Sequence, residues 1–365
     1  MVNQIINKRF FIYGAGIVAT TIYTALKELC SCVPEAFIVT NAKANPKEID
    51  GIGVIALSEL DVSDDTCIYF IATPEVHHAS IVDSLLQVGI VEQQLVLVNN
   101  DLESKLLEAF YGSSKEFATF RRVLETATGK TSKNPSLDIT MLQAKSHVDK
   151  PLKGTYTIPE YIQPIQVGAA LTDNVIADIR DDIGSNISAK NRNYCELTAT
   201  YHAWKHCKAK YKGLCHYRRI FDISQEQLNV VLTENPDVDV ILPYPTVFYP
   251  DIKKQHAYCI NDTDWNAMLQ ALQEVAPDYY ATFEDVFSDQ YFYNYNMLIA
   301  KEEVFDDYSH FMFSVLERVE ELTTPKGWER ADRFAGYIGE NLTTLYFRKN
   351  RDRLKIVHAG KKMLT

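Results

Sequence analysis

The residues with most chemistry to offer lie between Asp181 and Asp222, in the stretch DDIGSNISAKNRNYCELTATYHAWKHCKAKYKGLCHYRRIFD. Its apolar Gly213-Leu214-Cys215 runs directly into His216-Tyr217-Arg218-Arg219. The pattern predicts a strand from Tyr211 to Ile220. Alternate side chains of a strand share a face, so His216 and Arg218 would point one way and Tyr217 and Arg219 the other. A cation on each side of one strand end suits an anion, a diphosphate above all. It suits equally a strand running into a solvated loop, where Arg is ordinarily exposed. Upstream, a helix is predicted over roughly Arg192–His206, with Leu197, Tyr201, Trp204 and Lys205 on or beside one face.

In chain order, Asp181-Asp182-Ile183-Gly184-Ser185-Asn186-Ile187-Ser188, Asn191, Glu196-Leu197-Thr198 and Gly213-Leu214-Cys215-His216-Tyr217-Arg218-Arg219 resemble the pattern of one family. It is a family of bacterial capsular and exopolysaccharide glycosyltransferases, long catalogued as a domain of unknown function and linked to galactofuranosyl transfer. The resemblance extends over roughly Ile139 to Arg348, and Arg333-Phe334-Ala335-Gly336-Tyr337-Ile338-Gly339-Glu340-Asn341-Leu342 resembles the family's closing motif. It implies a GT-A-like α/β domain, a UDP-sugar donor and a lipid-linked saccharide acceptor in cell-surface glycan assembly. It also implies that the end of the predicted strand Leu137–Gln143 meets the nucleotide base. Lys145 and His147 thereby join Asn191, His216, Tyr217, Arg218, Arg219 and Arg333 as donor-binding candidates.

Glycosyl transfer must stabilise a departing diphosphate, through a divalent metal held by carboxylates or through fixed Arg, Lys and His donors. Asp-x-Asp occurs twice. Asp237-Val238-Asp239 precedes its apolar strand, and Asp262-Thr263-Asp264 opens a helix, with Asp262 or Asp264 expected as its N-cap. No cofactor is therefore assigned, a metal-independent reaction is favoured, and Mn²⁺ or Mg²⁺ is the less favoured alternative. The transfer also needs a base for the acceptor hydroxyl. Glu340, Asp182 and Glu196 are the candidates, beside Asp181; Glu196 equally suits holding Arg218 or Arg219 in place. Arg333 and Glu340 stand two helical turns apart and share a face if Gly336 and Gly339 leave the helix continuous. Sugar faces pack on aromatic rings, which makes Tyr293, Asn294, Asn296 and Trp328 acceptor-binding candidates.

The chain of 365 residues is long enough for two domains. Arg9–Tyr13, Glu35–Thr40, Cys67–Ala72 and Gln94–Val98 read as strands and Ile81–Val88 as a helix. Together they predict a small Rossmann-like unit over residues 1–100. Gly14-Ala15-Gly16 opens its first helix as in a nucleotide-binding loop, so Gly14 and Gly16 are candidates there. Thr40-Asn41 stand where a dinucleotide site normally has an acid. Residues 101–136 read as a helical connection ending in a linker at Thr128–Ser136, and 137–365 as the GT-A-like domain. The net charge of −11 excludes a general nucleic-acid binder. Seven scattered Cys form neither a disulfide framework nor a zinc signature. No apolar run reaches the length of a spanning helix, which predicts a cytoplasmic protein, peripheral on the inner membrane face at most. The basic run from Arg348 to Lys362 reads as a solvated helix end and tail, or as an attraction to anionic lipid. The competing functional readings are a Rossmann-type oxidoreductase, a nucleotide-sugar sensor and a scaffold of glycan assembly.

Overall fold

In a computed structural model, residues 8–127, 137–326 and 329–364 are described. The predicted linker at 128–136 and the acceptor candidate Trp328 lie outside the described residues. The chain divides into two compact units, Met1–Lys115 with Thr246–Gln255, and Glu116–Pro245 with His256–Thr365.

The first unit is a six-stranded sheet in the order Glu48–Ile49, Ile52–Ala56, Phe37–Val39, Phe10–Tyr13, Ile68–Ile71 and Leu95–Leu97. All pairings are parallel except the first, a hairpin at the edge. Helices Ile17–Cys30 and His78–Gln87 belong to separate apolar clusters, one with Phe10, Ile12 and Phe37, the other with Phe11, Tyr13 and Ile38. Alternation along one strand thus feeds two cores, as in a doubly wound fold. The strand Ile52–Ala56, preceded by Gly51 and with Gly53 as its second residue, was not anticipated. Helix Asn100–Ser113 also belongs to this unit, capped by the Asn99 side chain on Leu102 N–H. Gly14 has φ of +124°, and a Cβ there would stand 2.6 Å from the Ala72 carbonyl oxygen, so only glycine fits the turn. Gly16 is the N-cap of Ile17–Cys30. Thr40 is engaged by the Tyr13 hydroxyl at 2.8 Å, and the Asn41 side chain accepts from Lys43 N–H.

The second unit is built on a ten-stranded mixed sheet. Its main path runs Ile179–Arg180, Ile162–Gln166, Ile139–Lys145, Tyr211–His216, Leu298–Lys301, Val240–Pro243, Ile356–Ala359 and Ala118–Thr119. Leu298–Lys301 is antiparallel to both of its neighbours, while the other pairs on this path are parallel. The central strand Tyr211–His216 is covered by helices Leu197–His206 and Glu302–Leu322. Lys212 on this strand is wholly buried, and its ammonium is neutralised by Asp306 at 2.8 Å and Glu302 at 3.2 Å. A buried ammonium without such partners would cost several kcal/mol, because the desolvation of the charge would go uncompensated.

Three expectations are corrected. The strand predicted over Tyr211–Ile220 stops at His216; Tyr217 and Arg218 form a two-residue turn, and Arg219–Phe221 pairs back antiparallel with His216 opposite Arg219. The simple alternation of His216, Tyr217, Arg218 and Arg219 therefore does not hold. The N-cap of helix Asp262–Val275 is Asn261, whose side chain accepts from Asp264 N–H at 2.9 Å. The basic C-terminal run is not a free tail: Arg348 is buried between Glu116 and Asp289, Lys355 pairs with Asp237 at 2.6 Å, and Lys361–Met363 pairs with Arg219–Phe221. No helix among the described residues is long and apolar enough to cross a membrane.

Gly213 lies where the parallel and antiparallel halves of the sheet meet. A Cβ there would come within 2.7 Å of the Leu298 carbonyl oxygen and collide with the Met141 sulfur. Backbone on one side and a fully buried side chain on the other leave little room to yield. Gly213→Ala is expected to cost about 1–3 kcal/mol as an overpacked core does, read as a lower Tm; an unchanged Tm would show that the sheet can open there.

Candidate active site

The segment preceding the central strand is held by its own carboxylates. Asp181 is buried and accepts from Gly168 N–H at 2.8 Å, Ala169 N–H at 3.0 Å and the Ser188 hydroxyl. Asp182 is clasped by Arg180 through two hydrogen bonds, which hold its carboxyl below the usual range. Lys190 donates to the buried Glu320 at 2.6 Å, and the Tyr194 hydroxyl donates to the same oxygen at 3.2 Å. These contacts fix the short helix Asn191–Tyr194. The single helix predicted from Arg192 to His206 is broken after Tyr194, because Cys195 takes φ 50°, ψ −127°; helix Leu197–His206 then starts afresh. That corner turns Cys195 and Glu196 toward a cleft.

The cleft has a volume of about 480 Å³ and opens at the carboxyl ends of three parallel strands, at Ala144 and Ser146, at Val167 and at His216. In doubly wound and related sheets this edge is where ligands bind. Around it stand Lys150, Arg192, Arg218 and Arg333, with Asp149 and Glu196 as the acids. None of the four cations makes an ion pair among the described residues. The Arg218 Nε is buried without a hydrogen-bond partner, and its guanidinium lies 5.1 Å from the Tyr217 ring centre. Arg333 has φ 64° at the N-cap of helix Phe334–Lys349, and its Nε donates to Cys195 Sγ at 3.3 Å. Burial pushes the Cys195 thiol up to about 11, so it is a protonated neighbour and not a thiolate. Burial also raises Asp149, against the hydrogen bond from Ser146 N–H and the fields of Arg218, Arg333 and Lys145.

Behind the cleft is a second polar layer. Tyr295 and Asn296 both have left-handed backbones, φ 75° and 49°, which is uncommon for two successive non-glycine residues. This corner presents Tyr295 N–H to Glu340 at 2.7 Å and the Tyr295 carbonyl to His216 Nε2. Asn296, with no exposed surface, donates to Glu196 at 2.7 Å and to the Gly336 carbonyl at 3.2 Å, and accepts from Thr343. Glu196 Oε1 is also 3.7 Å from His216 Nε2. Burial lowers the His216 pKa despite Glu196, and the Tyr295 carbonyl requires the proton on Nε2, so His216 is a neutral Nε2–H tautomer at neutral pH. Glu340 is pushed up to about 8, first by burial and then by Glu196, outweighing Tyr295 N–H, Arg219 and Arg333. Arg219 does not line the cleft; it lies 4.3 Å from the Tyr295 ring centre, and its Nε is buried without a partner. Helix Phe334–Lys349 is continuous through Gly336 and Gly339. Those glycines let it approach the 195–197 corner: a Cβ on Gly336 would stand 3.4 Å from Cys195 Sγ and one on Gly339 2.7 Å from a Leu197 methyl. Arg333, however, precedes that helix.

The structure thus brings Asn191, Glu196, His216, Tyr217, Arg218 and Arg333 to one cleft. Asn191 is pinned to the Cys195 carbonyl at 2.7 Å and to Thr198 at 3.2 Å. Lys145 and His147 flank the cleft residues Ala144, Ser146 and Val148 without lining it, and His147 Nδ1 is buried without a partner. Asp182 is outside it. Two acceptor candidates are corrected: Tyr293 is buried with its hydroxyl on His358 at 2.8 Å, and Asn296 is the buried brace of Glu196. Asn294 is half-buried. Asp149 was not anticipated; the signal was its place four residues beyond the end of a parallel strand. Both Asp-x-Asp pairs have basic partners, Asp239 with Lys301 at 2.8 Å, Asp237 with Lys355, and Asp264 with Arg330. No cluster of three or more metal-ligating side chains occurs among the described residues.

A mixed sheet with an antiparallel strand near its centre, and a cleft at the carboxyl ends of its parallel strands, define a GT-A-like α/β protein. The family model described as domain of unknown function (DUF4422) matches residues 147–351, more than half of the chain, and the chain belongs to that family. A solved structure similar to it is the apo form of WbbM, a bifunctional glycosyltransferase. The likeness has a TM-score of 0.51 at 24% identity and covers 63% of this chain and 46% of that one, so it spans less than half of the WbbM chain. No curated protein matches the sequence.

The raised Glu340 pKa fixes the sign of one pH effect. The folded state holds this proton more tightly than a free glutamic acid of pKa 4.5, so the stabilisation is complete below about 4.5 and is lost as pH rises through about 8. Glu340→Gln keeps an acceptor for Tyr295 N–H and cannot ionise. Thermal melts from pH 5 to 9 should show the variant gaining on the wild type as pH rises; parallel curves would contradict the buried acid.

Proposed function

We propose that the second unit is a glycosyltransferase that moves a sugar from a UDP-sugar to a lipid-linked saccharide during capsular or exopolysaccharide synthesis, on the cytoplasmic side of the membrane. In this reading the sugar is galactofuranose. One observation carries it: four cations converge on a cleft at the sheet's carboxyl edge and none has an ion-pair partner among the described residues. Lys212 and Arg348, the cations buried elsewhere in this unit, are each paired with carboxylates, as are the partly buried Lys190 and Arg330. Unpaired, partly desolvated guanidinium groups suit a diphosphate, whose oxygens a planar fork can bind in pairs.

Arg218 and Arg333 would hold the diphosphate and stabilise the charge that grows on it as the sugar's anomeric carbon–oxygen bond breaks. The electron pair of that bond leaves with UDP. The acceptor oxygen forms the new bond to the anomeric carbon, and its proton passes to a carboxylate. Glu196 is the acid that lines the cleft, held by Asn296, and it is the base in this reading. Glu340 stays protonated behind it at neutral pH. Positive charge supplied by arginine makes the transfer metal-independent here.

The test is UDP release from a panel of UDP-sugars, UDP-galactofuranose included, with a simple sugar acceptor in Mn²⁺ or in EDTA. Release that survives EDTA is expected. Release only with Mn²⁺ would return the acidic residues to the donor site, and neither release nor UDP binding would overturn the reading. Arg218→Ala or Arg333→Ala should each weaken UDP binding by about 1.5–3 kcal/mol, the range for hydrogen bonds to charged groups. Glu196→Gln should keep UDP binding while slowing transfer by roughly 10²–10⁴-fold, as loss of a general base does.

A further inference from the structure

Single exposed apolar side chains are ordinary on a protein surface, but their gathering in one place is not. Among the described residues of the second unit seven large apolar side chains are exposed, and five of them, Val148, Leu171, Val175, Ile176 and Ile183, lie on three loops. Those loops leave the carboxyl edge of three neighbouring parallel strands. Lys145, Gln166 and Arg180 stand level across Ile139–Lys145, Ile162–Gln166 and Ile179–Arg180, so the segments that follow are neighbours where the cleft opens.

The exposure is fixed by the fold. Gln166, with no exposed surface, donates to the Asn174 carbonyl at 2.7 Å and accepts from Ile176 N–H at 2.9 Å. A buried amide committed at both ends holds the backbone that carries Val175 and Ile176 outward. Val148 is 75% and Val175 59% exposed, against 43% for Val275 at the end of helix Asp262–Val275.

The charge beside these side chains is basic. Three acids of the loops are spent within them: Asp181 on the Gly168 and Ala169 amides, Asp182 on Arg180 and Asp149 on Ser146 N–H. That leaves Asp173 and Asp178 against Lys145, Lys150, Lys153 and Arg192, none of which makes an ion pair among the described residues. On a chain of net charge −11 such a surplus is local. Stable peripheral binding to a bilayer takes two signals, apolar insertion and attraction of Lys and Arg to anionic headgroups. This edge supplies both.

We infer that these three loops dock on an anionic lipid bilayer, which turns the mouth of the cleft toward the membrane. The inference rests on the reading of the second unit as a glycosyltransferase with a lipid-linked acceptor. It also replaces the basic C-terminal run as the membrane contact, since Arg348 and Lys355 there are already paired.

Cosedimentation of the full chain with vesicles tests it, using phosphatidylcholine alone and phosphatidylcholine mixed with phosphatidylglycerol. The variant Val175→Ser/Ile176→Ser/Ile183→Ser removes apolar surface without adding charge, Lys153→Gln removes one cation, and Val275→Ser is the control; melting curves report whether each is folded. The wild type and the control should bind the mixed vesicles alike. The triple variant should bind them about tenfold or more weakly while its UDP affinity stays within roughly twofold, and Lys153→Gln should bind more weakly to the mixed vesicles alone. No vesicle binding by the wild type, or equal binding by the triple variant, overturns the docking face. Self-association of the wild type that the triple variant loses would overturn it too, in favour of a second copy of the chain. UDP release without vesicle binding leaves the transferase and removes the face, whereas vesicle binding lost in the triple variant, with no UDP bound by the wild type, keeps the face and sinks the donor site.

Discussion

Two neighbouring carboxylates at the carboxyl edge of one sheet, Glu196 and Glu340, set the terms for everything around them. Like charges in a shared, partly desolvated site cannot both ionise without compensation. The protein resolves the conflict unequally. Glu196 is gripped by Asn296 and faces the cleft, whereas Glu340 is pushed up to about 8 and accepts from one backbone N–H. Both partners come from the Tyr295–Asn296 corner, whose left-handed backbone is strained for such residues. The strain places an amide, a carbonyl and a carboxamide within reach of Glu340, His216 and Glu196 together.

The same constraint explains the neighbouring irregularities. Cys195 adopts a positive φ so that Glu196 can leave one helix and start the next. The His216–Arg219 turn ends the central strand so that Arg218 meets the cleft while Arg219 packs over Tyr295. Gly336 and Gly339 bring the Glu340 helix against this corner. Each feature would be a defect on its own, and together they assemble one site.

Much of this was legible in the sequence, and what was not has physical causes. The polar letters ending an apolar run marked His216, Tyr217 and Arg218, because charge beside a buried strand needs a reason. Periodicity could not reveal the turn at 217–218 or the break at Cys195, since both depend on backbone angles that sequence patterns do not encode. YFYNYNMLIA reads as one aromatic strand, yet a left-handed corner splits it; Tyr293 and Asn296 turn inward, and the acceptor residues inferred from them become braces. Asp181 and Asp182, which look catalytic in sequence, are spent on loop amides and on Arg180. In the first unit the other parallel strands were legible from their apolar runs, but Ile52–Ala56 has Gly53 inside its apolar run and Gly51 just before it, which read as a turn. In the basic C-terminal run, the burial of Arg348 against Glu116 and Asp289 and the pairing of Lys355 with Asp237 depend on partners far away in sequence, which spacing could not supply.

The most direct measurement is a crystal structure of the protein soaked with UDP in EDTA. The account predicts diphosphate density bridging Arg218 and Arg333 at the carboxyl ends of the parallel strands, with Glu196 facing the vacant sugar position. UDP bound elsewhere on the second unit, or a diphosphate contacted only by Asp237, Asp239, Asp262 or Asp264 through a retained metal, would contradict it.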